Sequence, residues 1–455
     1  MSEVVEKKDI KSQYLELFSE NIDKISNVSS SIINKFRNQA IKDFEKLDIP
    51  NKRNENYKYL DLKTAFDNKY NYNFIQSKIQ VKLEEVFRCD VPEMDTESIV
   101  LINGWYGNKT NLLQKVEGKA IIGSFSEAAK QYPDLFEKYY SKSKNIEKES
   151  LVSLNTAFAG DGIFFYVPDN IVLEKPIQII NLMVSEEDTF AQPRNLFILG
   201  KNSQAKIIVC DHTLSASKFL SNSVTEVFQE ENSVFDIYNL QNEHNGASKV
   251  SSVFFNQSNK STLLSNIITL HGGVVRNNVY VNVDGEHCES KLYGLYLSDK
   301  WQNIDNYTYV SHNKPNCNSS QFYKGILDDA SIGAFNGKIY VSREAQKTSA
   351  YQANNNILLT NDAKVNSKPQ LEIYADDVKC SHGATSGQID ENALFYLRSR
   401  GISEKEARFL LLYAFTNEII KEIKVEALRD RISNLVDKRL RGELARCNSC
   451  VINCC

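Results

Sequence analysis

Cys380 and His382 are the sharpest pair of potential ligands in the chain. They lie in "LEIYADDVKCSHGATSGQID" (371–390), which opens as a strand, passes two aspartates and dissolves into small residues before a helix signal. On a strand, residues two apart face the same side. A thiolate and an imidazole placed there are ligands suited to iron or zinc. Two ligands do not close a tetrahedral site, so distant residues or a second chain must complete it. The plainer alternative is a buried thiol and a hydrogen-bonded histidine at the end of a sheet.

Other candidates are weaker. The tail "CNSCVINCC" carries Cys447, Cys450, Cys454 and Cys455; four thiols suit zinc or a cluster, or simply mark a polar, reactive terminus. His287 and Cys288 are neighbours and face opposite ways if extended. His312 and Cys317 flank "NKPN", a turn that would bring them together. Asp376 and Asp377 read as a solvated strand end or turn; glycoside hydrolysis would need two carboxylates across one cleft. No P-loop, dinucleotide fingerprint, zinc-protease or nucleophile-elbow motif occurs, and "GWYGNKT" (104–110) lacks the glycine spacing of a P-loop. The chain is therefore expected to bind no nucleotide itself.

The elements that must position these residues fall into three blocks. Residues 1–145 read as mainly helical: Tyr14, Leu15, Leu17 and Phe18 share one stripe, Ile33, Phe36, Ala40 and Phe44 another, and Pro50 ends the second helix. Within this block "SIVLINGW" reads as a strand. Residues 146–385 are a long series of short β-rich runs, such as "AKIIVC", "STLLSNIITL" and "NNVYVNV", separated by Asn, Ser, Gly and Asp clusters. A sandwich, a barrel or a parallel β-helix fits such a series. Asparagine at bends, as in "NNN" (354–356), favours the β-helix, because turns between rungs need left-handed backbone angles. Residues 386–455 return to helix: Asp390 is an N-cap, Gly401 a C-terminal stop, and Ser403 with Glu406 has capping-box spacing. Ala407, Leu411, Ala414, Phe415 and Ile419 form an apolar stripe there, which suits a docking module.

The chain has 455 residues, 42% hydrophobic and 25% charged, with net charge −4. Such a balance fits a globular protein and argues against a general nucleic-acid binder. The start is charged and has no apolar core of a leader peptide. The longest apolar run, "FLLLYAF", is far short of the ~20 residues a membrane helix needs. Five of the nine cysteines are scattered singly, unlike a disulfide framework. The expectation is a cytoplasmic protein in a reducing compartment, with no membrane partner.

The run "KPQLEIYADDVKCSHGATSGQIDENALFYLRSRGISEKEARFLLLYAFTNEII" (368–420) resembles the C-terminal signature of the SufB/SufD family of SUF iron–sulfur cluster assembly scaffolds, on its SufD side. "HNKPNCNSSQFYKGIL", "GKIYVSREAQKTSAYQANNNILLT" and "LNTAFAGDGIFFYVP" are similar to the same family, as is "PNKRNENYKYLDL", with Tyr57 where tryptophan is usual. Where a SufB end reads more like E-H-E-A-T-T-S-K, this chain has "CSHGATSGQ". The resemblance implies a mainly β fold: a right-handed parallel β-helix between N- and C-terminal helical domains. It implies a non-enzymatic scaffold that pairs with a SufB-like subunit and docks a SufC-like ATPase on its C-terminal helices, here on Ala407, Leu411, Phe415 and Ile419. His382, with Cys380 beside it, then takes part in forming an iron–sulfur cluster shared transiently with SufB. A flavin in the complex and a homodimer of the isolated chain are compatible with this reading. A carbohydrate-active β-helix enzyme and a stand-alone homodimeric metal scaffold are the competing readings.

Overall fold

The computed structural model describes residues 9–76 and 96–443. The tail thiols and Cys89 lie outside the described residues.

The centre of the molecule is a right-handed parallel β-helix. Consecutive strands alternate between two sheets, one of twelve strands and one of ten, so each turn of the coil contributes one strand to each sheet. Pairing along both sheets of the coil is parallel and almost without slips; the one irregularity falls at Gln241/Asn242. Alternation does the rest: in Val274–Val283, Val279, Val281 and Val283 point into the coil and join Phe235, Leu263, Leu292, Val310 and Phe335 in one continuous core. Such stacking buries a face that no single rung could bury alone.

The bends are built as the composition suggests. Asn170, Asn202, Asn232 and Asn316 adopt left-handed angles at the corners, and the Asn232 amide donates to Asn202 at 2.9 Å and Asn202 to Asn170 at 2.8 Å. The "NNN" triplet is not one of these bends. Asn354–Asn356 lie inside the strand Ser349–Leu358, where Asn354 and Asn356 face inward and bond to each other at 2.7 Å. The two inward amides are satisfied by each other, by the Tyr296 hydroxyl and by the Tyr323 carbonyl, which composition alone does not reveal.

Helices close the two flanks. Ile10–Asn27 and Ser31–Leu47 pack with the buried helix Ser150–Phe158 against the twelve-stranded sheet. Arg37 is fully buried there and donates to the carbonyls of Ala157 and Ala159 at 2.8 and 2.7 Å. The N-terminal block also carries strands: Glu97–Ile102 and Ala120–Ser124 extend the two sheets past the first turn of the coil. At the other end, Glu404–Ile420 and Glu426–Leu440 lie on the ten-stranded sheet, and Glu391–Ser399 packs beside Glu404–Ile420. Asp390 caps the first by accepting from Asn392 and Ala393, and Ser403 caps the second by accepting from Glu406. No helix among the described residues is long and apolar enough to cross a membrane.

Candidate functional site at the open end of the coil

The ladder ends with two strands that are hydrogen-bonded on one side only: Lys364–Ile373 in the twelve-stranded sheet and Lys379–Gly387 in the ten-stranded sheet. Their outer edges differ. Lys364 donates its N–H inward to Ser331, so residues 365, 367 and 369 aim theirs outward. Pro369 stands at one of these outward positions, where a missing N–H breaks no internal bond and blunts the edge. Lys379 donates inward to Thr348 at 2.9 Å, so Cys380, His382 and Ala384 aim their N–H groups at the open edge. No proline interrupts that strand.

Cys380 and His382 share the inward face of this last strand, as their spacing predicts. Cys380 stacks on Ala350 and packs beside Ile339, Val341, Ala345 and Ala375. Burial pushes its thiol above the usual range, so it stays protonated unless a metal or base draws the proton. His382 stacks on Gln352, which stacks on Gln321. Although it faces the lumen, its ring is exposed, because it stands on the final turn. The available ligand is therefore the imidazole, with the sulfur half-covered beside it.

The weaker candidates separate. His312 is sealed in the coil with Nε2 2.8 Å from Ser319 Oγ, and burial lowers its pKa to about 4. The turn does not join it to Cys317, whose sulfur meets the Gly285 carbonyl instead. Cys317 lies one turn beyond Cys288 and its sulfur accepts from the Cys288 backbone N–H at 3.4 Å, while a hydrogen bond from its thiol draws the Cys288 thiol down to about 7; sequence distance concealed that pair. Both are enclosed, so they read as interior packing. Asp376 and Asp377 sit exposed on a turn, Asp377 held by its backbone to Lys347 and Gln346. No group of three or more metal-ligating side chains occurs among the described residues.

Two of the four docking candidates on Glu404–Ile420 require a correction. Ala407 and Ile419 are fully buried within this chain, and Leu411 and Phe415 are half-buried against the same core. Phe415 lies under the Lys324 ammonium at 4.1 Å, and Lys324 pairs with Glu418 at 2.9 Å. The stripe seats the helix on its own β-sheet, because a helix uses its apolar face first for the core it is tethered to. The outward apolar residues are Phe395 and Tyr396, 74% and 57% exposed, with Leu410 on the adjoining helix. Sequence periodicity missed them because they fall off the stripe.

Comparison with known proteins agrees with this architecture. Residues 182–415 match the model of the SufBD core domain of the SUF iron–sulfur cluster assembly system, and residues 8–179 match the SufBD N-terminal region. The chain belongs to the SufBD family. This SufBD chain is 28% identical to the iron–sulfur cluster assembly protein SufD of Escherichia coli over 87% of its own length and 90% of the relative's. It is 27% identical to a SufBD family protein of Synechocystis over 91% and 93%, and 24% identical to SufD of Bacillus subtilis over 73% and 76%.

Proposed function

We propose that the chain is a SufD-type scaffold subunit that performs no turnover of its own and lends His382 to an iron–sulfur cluster assembled at a joint with a SufB-like subunit. One observation carries the reading: of the two strands that end the coil, the exposed imidazole stands on the one whose outer edge is not blunted by proline and keeps its row of N–H donors. A partner strand paired to that edge would bring its own side chains onto the same face, supplying the ligands that two residues alone lack. Strand addition at a bare edge draws affinity from backbone bonds and leaves the facing side chains for specificity. The cluster is cargo here, and a neutral thiol at Cys380 serves as a second ligand only when iron displaces its proton.

The exposed Phe395, Tyr396 and Leu410 are the surface proposed for a SufC-like ATPase, in place of the buried Ala407 and Ile419. ATP chemistry would then belong to the partner, in keeping with the missing P-loop, and a flavin would belong to the assembled complex. A reducing, cytoplasm-like compartment suits a chain whose described cysteines are all free.

Mixing the chain with SufB-like and SufC-like proteins and measuring the complex mass tests the assembly. Loading with ferrous iron and sulfide then tests the site. His382→Ala is expected to leave the complex mass intact and to cut cluster loading by more than about tenfold. Normal loading by that variant would remove His382 from the mechanism.

A further inference from the structure

Inside the coil, an amide column leads to the mouth. Leu292, Gln321, Gln352 and His382 are in register on four successive turns of one sheet. In-register parallel strands bring such same-face side chains to within roughly 4.8 Å of one another. Gln352 is fully buried. Its Nε2 donates inward to Gln321 Oε1 at 3.3 Å, and Thr308 Oγ1 donates to that same oxygen at 2.6 Å. The opposite sheet makes room for this amide: a Cβ on Gly337 would lie 1.8 Å from Gln352 Nε2. The donor arm of Gln352 is thus committed toward the interior.

The acceptor arm is not. Gln352 Oε1 is buried and has no hydrogen-bond partner. A buried carbonyl left without a donor is costly, and such orphans call for an explanation. Along the column, the one residue beyond Gln352 is His382, and a neutral imidazole carries one N–H donor and one lone-pair acceptor. Which nitrogen keeps the proton is set by the bond the other makes.

We propose that Gln352 is the positioning residue for His382: its Oε1 takes the imidazole N–H and leaves the other ring nitrogen, deprotonated, turned toward the open end to bind iron. This rests on the assembly reading above. The column explains why glycine stands at 337 and why a glutamine is buried one turn beneath an exposed histidine. It also assigns the interior amides a task beyond filling space, because partners that orient a metal-binding histidine change metal affinity about 10- to 100-fold.

The test uses the full chain labelled with ¹⁵N-histidine, with the His382 signals identified by their loss in His382→Ala. The wild type is expected to hold one dominant tautomer at His382. Gln352→Met keeps the bulk, removes the acceptor and should return the ring to a mixed population. Cluster loading in the reconstituted complex should fall about tenfold with it. Gln352→Glu keeps an acceptor oxygen and should restore the single tautomer. An unchanged tautomer ratio in Gln352→Met overturns the proposal, even if loading falls, since that would be a packing effect. If His382→Ala loads normally while the tautomer result holds, the assembly reading fails and the Gln352–His382 coupling stands.

Discussion

His312 and His382 are the same residue type in one coil, and the fold gives them opposite chemistry. His312 is enclosed, with desolvation as the cause of its lowered pKa of about 4. In the unfolded chain it titrates near the ordinary value of 6.5. Between these values the unfolded state binds the extra proton and the folded state does not. Stability from this group is therefore undiminished above pH 6.5 and falls as pH drops toward 4, by up to about 3 kcal/mol. Denaturant midpoints measured across that window should slope for the wild type and flatten for His312→Gln. A slope of equal size in the variant would assign the effect to other groups. The pairing of Cys380 with His382 was legible because period two is a property of any strand. The depth of His312 was not, since a C-x-H or an H-x₄-C spacing carries no information about which turn of a coil ends exposed.

At the scale of elements, patterns told where helices and strands lie and left open what they touch. The caps at Asp390 and Ser403 were readable because capping needs specific side chains at fixed offsets. The stripe from Ala407 to Ile419 was equally readable, but amphipathicity has one meaning for a core and for a partner. The two uses make different predictions. Ile419→Ser removes a fully buried side chain and should cost about 3 kcal/mol with a lowered melting temperature. Phe395→Ser combined with Leu410→Ser should leave melting within a degree or two, since exposed sites rarely shift stability by more than ~0.5 kcal/mol. The same double variant should weaken capture of the SufC-like ATPase about tenfold, as loss of an aromatic anchor does. Undiminished capture would move the docking surface elsewhere on the chain. The repeat itself escaped the sequence for a geometric reason. Glu289, Asn318, Ser349 and Lys379 occupy one column, so successive turns advance by 29, 31 and 30 residues. Corners absorb these differences without disturbing the ladder, and a search for a fixed period finds none.

For the whole molecule, a parallel coil must end somewhere, and its last turn leaves two strand edges bare. One is blunted by Pro369; the other passes through Cys380, His382 and Ala384 with donors pointing out. Proline scanning along that strand separates a joint from a mere end. Ala384→Pro deletes an outward N–H and no internal ladder bond, so the isolated chain should keep its stability to within about 1 kcal/mol. Thr385→Pro, one residue on, deletes an inward donor and should loosen the last turn by about 1–3 kcal/mol. If the edge is the joint with the SufB-like subunit, Ala384→Pro should abolish the paired mass while hydrogen exchange of the isolated chain matches the wild type. Should Ala384→Pro pair with unchanged affinity, strand addition at this edge is excluded, and His382 would have to meet its partner through side chains alone.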